Sequence, residues 1–175
     1  MYLPAHTAET RPEALHALID AHPLGALVRA GADGLDADHL PFELVPPCPV
    51  APHGRLRAHV ARANPLAHAD GVDALVLFRG DAGYVSPRAH DLAALDGRMV
   101  PTWDYMVVNV HGRVRTVDDA EWILAHMRAA TARREPERGG WIIADAPQDY
   151  IAKLLRATVG IEIAIERIEG KFKRR

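Results

Sequence analysis

The chain contains one cysteine, Cys48, and one serine, Ser86. A lone thiol excludes an intrachain disulfide, fits a reducing compartment, and has no partner for a thiolate metal site. The serine lies in YVSPR, which is not the GxSxG elbow of a serine nucleophile. HExxH, GxGxxG and Walker A patterns are missing, so the ten histidines announce no metal and neither usual nucleotide motif is present. No stretch approaches the ~20 apolar residues of a membrane span. The start MYLPAHTAET lacks the basic flank and apolar core of a secretory signal. Nor is charge of one sign in excess. With 21 Lys and Arg against 23 Asp and Glu, nothing pulls the whole molecule toward phosphate backbones or anionic lipid. These absences predict a soluble cytoplasmic protein without a structural metal.

What is present suffices for one core. At 175 residues, 49% apolar and 25% charged, the chain predicts a single globular domain spanning 1–175. Capping boxes predict three helices, beginning at Thr10 with Glu13, Asp118 with Glu121, and Asp145 with Gln148. Leu15, Leu18 and Ile19 stripe the first, and Ile151, Leu154 and Leu155 the third, which is expected to stop at Gly160; both stripes should lie on a core. Between the first and second helices the period becomes strand-like. LGALVRA and LDADHLPFELV flank the turn signal Asp33-Gly34, GRLRAHV alternates, and DALVLF reads as a strand covered on both faces. YMVVNV and RVRTV flank His111-Gly112 as a second hairpin, and Ile161, Ile163 and Ile165 alternate with polar neighbours. Arg128–Gly140 reads as a charged surface loop. Six or seven hairpin-joined strands with flanking helices predict an α+β fold built on an antiparallel barrel.

Three segments carry candidate binding chemistry. RAHVARANP brings His59, Arg62 and Asn64 to a strand end, where such donors can hold a phosphate or simply form a solvated turn. HLPFEL places His39 and Pro41 at a strand edge or bulge. VPTWDY places Trp103 and Tyr105 two residues apart on one strand face, either stacking on a planar ligand beside Thr102 or closing one end of the core.

Together, MYLPAH, HLPFEL, LRAHVARANP, YVSP, VPTWDY and VGIEIAIERIEGKFK make the chain resemble the PaiB-like proteins, the FMN-binding negative transcriptional regulators. That resemblance implies the FMN-binding split β-barrel and a homodimer with two flavin sites in its interface. It also implies a phosphate end near His59, Arg62 and Asn64. His39 and Pro41 match the family's HLPF stretch, Thr102, Trp103 and Tyr105 its VPTW-x-Y stretch on the ring side, and Lys171 its terminal EGKxK. Several positions depart from the family pattern: Thr7, Ala67, Ala89, His90 and Ala93 replace larger side chains, Asp104 replaces asparagine, and Asn109 replaces histidine. A partly eroded flavin site is therefore an expectation too. No residue pair reads as a catalytic acid and base. The alternative function is a flavin-dependent oxidoreductase related to pyridoxamine-phosphate oxidases and flavin reductases. DNA binding is implied only by the family's name, since the three helices are too far apart in sequence for a helix-turn-helix.

Overall fold

The computed structural model describes residues 1–31, 34–89 and 98–174. Asp33 of the first turn signal, His90, Ala93 and the terminal Arg175 lie outside the described residues. Among the described residues, nine strands and three α-helices follow the order β1 Ala8–Glu9, α1 Pro12–Ala21, β2 Leu24–Gly31, β3 Gly34–Pro41, β4 Glu43–Val45, β5 Arg55–Ala61, β6 Asp73–Val85, β7 Thr102–Val117, α2 Ala120–Ala132, α3 Gln148–Arg156, β8 Thr158–Ala164 and β9 Arg167–Lys173. The strand path is β3-β2-β6-β7-β8-β5-β4, with β9 paired to β7 and β1, and every pairing is antiparallel. The fold is α+β and antiparallel as expected, with nine strands among the described residues where six or seven were read from the sequence.

β7 holds the architecture together. One edge pairs β6 from Thr102 to Arg113; the other pairs β9 from Tyr105 to His111, then β8 from Val114 to Val117. The expected hairpin at His111-Gly112 is therefore absent, and the two apolar runs are one sixteen-residue strand. Gly112 marks instead the switch from β9 to β8. A Cβ there would lie 2.3 Å from the Ala164 carbonyl oxygen, so glycine serves close backbone approach rather than a turn. Strands β1, β2, β3, β6, β9 and the first part of β7 form sheet A, and β4, β5, β8 and the end of β7 form sheet B.

The core fills the space between the inner faces of the sheets: Leu27, Leu56, Val76, Phe78, Val108, Val110, Ile161 and Ile163 are fully enclosed. Leu15, Leu18 and Ile19 of α1 join it, as their spacing predicted. DALVLF is not covered on both faces. Ala74, Val76 and Phe78 point inward while Leu77 is 37% exposed.

The helix starts are displaced from the predicted boxes for local reasons. Pro12 opens α1, so the residue before it is held extended and Arg11, not Thr10, becomes the N-cap. In α2 the cap is Asp119, which accepts from the amides of Glu121 and Trp122 at 2.8 and 3.0 Å. Asp145 accepts from the Ile142 amide of a preceding 3-10 turn, and α3 begins only after Pro147. Gly160 does not end α3; it lies inside β8, where a Cβ would be 2.3 Å from the Trp122 ring. Arg128 to Ala132 belong to α2, so the predicted loop is shorter by that much. No residue of α3 is fully buried, because Ile151 and Leu154 border a cavity instead of a packed core. Among the described residues no helix is long and apolar enough to cross a membrane.

Candidate functional site

Strand alternation sorts the candidate residues by face. On the outer face of sheet A the register aligns His39 with Ala26, Ala26 with Leu77, Leu77 with Asn109 and Asn109 with Glu169. Two residues along β7 and β9 stand Val107 and Lys171, then Tyr105 and Lys173. Leu24, Val28 and Leu75 continue the apolar part of this face, and Leu24 is 65% exposed. The face is thus an apolar band ending in an aromatic ring and two ammonium groups.

That end is tightly built. The Lys171 and Lys173 ammonium groups lie 5.7 and 5.8 Å from the Tyr105 ring centroid, within cation–π range. Lys171 Nζ donates to the Tyr2 carbonyl at 3.1 Å. Lys173 Nζ donates to the Trp103 carbonyl at 2.6 Å and to the Thr102 hydroxyl. Tyr84 meets Trp103 edge to face at 6.0 Å. The structure therefore brings together Thr102, Trp103, Tyr105 and Lys171, with His39 further along the same face and Pro41, which pairs with Leu24, at the edge. Lys173 was missed in the sequence; its signal was the KFK alternation, which puts it one pleat beyond Lys171 on the same face. Asp104 projects to the opposite face from its neighbours, beside Asp81, Ala82 and Arg174.

His59, Arg62 and Asn64 do not join this cluster or one another. Arg62 forks onto Asp118 at 2.6 and 2.7 Å and donates to the carbonyls of Arg156 and Thr158. Asn64 donates to Asp38 at 2.8 Å and accepts from the Leu66 amide, capping the turn at Pro65–His68. Both are structural ties whose polar atoms are engaged with protein partners. Of the substituted positions, Ala67 is buried in the core and Thr7 caps the turn at Pro4.

The outer face of sheet B is different in kind. Glu43, Arg57, Glu162 and Arg115 stand side by side across β4, β5, β8 and β7, alternating in charge. Glu162 accepts from Arg57 at 2.8 Å and from Arg115 at 2.9 Å. Burial opposes its ionisation, but the hydrogen bonds and charges of these two arginines outweigh that and hold its carboxyl below the ordinary value. Helix α2 lies on this row. Trp122 stacks over the Arg57 guanidinium at 5.2 Å, and His126 Nδ1 meets Glu43 Oε2 at 2.9 Å. Glu43 is likewise held below its ordinary value, burial being outweighed by His126, Arg133 and Arg57. His59 lies edge to face with His126, ring centroids 5.3 Å apart; burial, then the neighbouring His126 charge, push its pKa down. Next to this row, between sheet B and the helices, is a cavity of about 520 Å³ lined by Pro41, Phe42, Glu43, His59 and His126 among others. Glu43 and His126 were not anticipated. The i, i+4 stripe of Trp122 and His126 on the second helix was the available sign.

The antiparallel sheets and flanking helices form a split β-barrel of the flavin-binding type. Residues 1–167 match the family described as "Putative FMN-binding domain", and the chain belongs to it. Uncharacterised proteins of Aspergillus fumigatus and Emericella nidulans are each 31% identical over 99% of this chain, which spans 84% and 83% of their lengths. Among solved structures, a FAD and heme binding protein from Mycobacterium smegmatis superposes with a TM-score of 0.71 at 20% identity, covering 97% of this chain and 74% of its own. The flavocytochrome Anf3 from Azotobacter vinelandii gives 0.76 at 16% identity, covering 99% and 73%.

Proposed function

We propose that this chain is a cytoplasmic, homodimeric FMN-binding protein of the PaiB-like regulator type, with its flavin seated at the Tyr105 end of the outer sheet A face. The observation that carries this is the pair of ammonium groups over Tyr105 at the border of an exposed apolar band. The residues fit the group. Lys171 and Lys173 are the cations that would hold the phosphate, and Tyr105 and Trp103 the aromatic surfaces that would flank the ring system. Bound there, the flavin would supply reversible electron-accepting chemistry. The chain's own part is to fix the anion with two lysines oriented by Tyr2, Thr102 and the Trp103 carbonyl, and to exclude water when a second copy covers Leu24 and Leu77.

Asp104, one of the positions that depart from the family pattern, alternates to the face of β7 opposite Tyr105. FMN titration followed by flavin fluorescence tests the reading. Lys171→Gln is expected to weaken binding about tenfold, the equivalent of ~1.4 kcal/mol, and Asp104→Asn to change it little. Equal affinity for the unmodified chain and a Lys171→Gln, Lys173→Gln double variant would remove the seat. A purified protein showing a haem band and no flavin would overturn the ligand. For the regulatory part, direct operator binding is expected to be weak and to fall steeply between low and physiological salt; a salt-independent gel shift would contradict it.

A further inference from the structure

The cavity beneath α2 has no part in the proposed flavin seat, yet it is built like a ligand site. Its volume, about 520 Å³, lies within the range of small-molecule pockets. Its wall is mainly apolar, from Phe42, Met127, Ile143, Ile151 and Leu154. Two polar features interrupt it. At one wall stand the neighbouring imidazoles of His59 and His126. His126 uses Nδ1 on Glu43, and Nδ1 of His59 is shut away without a hydrogen-bond partner. Nε2 is thus the ring nitrogen each has left to offer a ligand. At the rim, Arg133 is tied to Asp20 and the Leu44 carbonyl, and Glu135 accepts from the Trp141 amide. The Arg134 side chain carries no hydrogen bond or ion pair among the described residues, so one guanidinium is left to meet an anion.

From this arrangement we infer that the cavity is a second ligand site, for a flat aromatic carboxylate bearing a hydroxyl or carbonyl at the end remote from its acid group. The ring fills the apolar wall, the oxygen meets the two imidazoles, and the carboxylate meets Arg134 at the rim. An aliphatic chain fits less well, because its end would leave both imidazole nitrogens facing hydrocarbon.

The probe is 6-hydroxy-2-naphthoate, whose hydroxyl and carboxylate stand at opposite ends of a fluorescent bicycle. Saturable binding of one molecule per chain is expected, with or without excess FMN. Ala130→Trp, which fills the cavity from α2, should abolish it. Arg134→Gln should weaken it about tenfold while leaving 2-naphthol, which has no carboxylate, unchanged. Melting curves of both variants show that they fold. Absence of saturable binding, equal binding by the Ala130→Trp variant, or displacement of the probe by FMN would each overturn the second site. The last of these would place the flavin in this cavity, and a failure to bind FMN at all would touch only the flavin reading.

Discussion

Arg62 illustrates how a side chain with phosphate-binding chemistry becomes a structural tie. It joins the end of β5 to Asp118 before α2 and to the carbonyls at Arg156 and Thr158, linking three segments distant in sequence. Nothing in HVARAN reveals Asp118 as its partner, because the pairing depends on tertiary contact. The same holds for Glu43 and His126, which meet only when α2 lies on sheet B. Glu162 is the carboxylate shared by two arginines of the charged row beneath α2. Glu162→Gln leaves Arg57 and Arg115 without their shared carboxylate, and a loss of about 1–3 kcal/mol is expected in denaturant titration, below the cost of breaking a fully buried pair because both arginines are partly exposed. Gly160→Ala is expected to cost a similar ~1–3 kcal/mol through displacement of Trp122.

Among the elements, helices with an apolar stripe and strands with strict alternation were legible in the sequence: α1, β5 and β8 follow the periods read from them. Their ends were less so. Asp118 and Asp119 are chemically equivalent as caps, and the choice is made by Arg62, which occupies the first and leaves the second. Asp119→Ala should therefore lower stability by about 1 kcal/mol through loss of the cap. Asp118→Ala should instead loosen Arg62, and amide exchange near Thr158 distinguishes the two. Continuous apolarity in DALVLF also misled, since it marks burial on one face and an exposed band on the other. In the lysine strand KFK the alternation was plain, but its meaning came only from the register that sets it beside Tyr105.

At the scale of the molecule, the exposed band on sheet A is the surface on which the proposed second copy would sit. Leu77→Arg is expected to convert a dimer to a monomer in sedimentation, and an unmodified chain that sediments as a monomer would remove the dimer from the proposal. Stability should also depend on pH with one sign. The pKa of His59 is lowered in the folded state, so its contribution is complete above its ordinary value of about 6.5 and is lost as pH falls through that value toward the folded one. The lowered carboxyls of Glu43 and Glu162 add a second loss further into acid, as pH falls below the ordinary glutamate range. Melting temperature should thus be flat with respect to these groups above neutrality and fall in two stages below it, with the first stage missing in His59→Phe.

The pairing of β1 with β9, Ala8 against Lys171 and Glu9 against Gly170, joins the two ends of the chain. Contacts so remote in sequence form at the highest loop-closure cost and tend to come late. The β7–β9 register sets Lys171 beside Tyr105, and the Tyr2 carbonyl that orients its ammonium group arrives with that closure. In a refolding experiment the recovery of flavin binding should trail the recovery of helix signal, so the cofactor would serve as a clock for the last step of assembly.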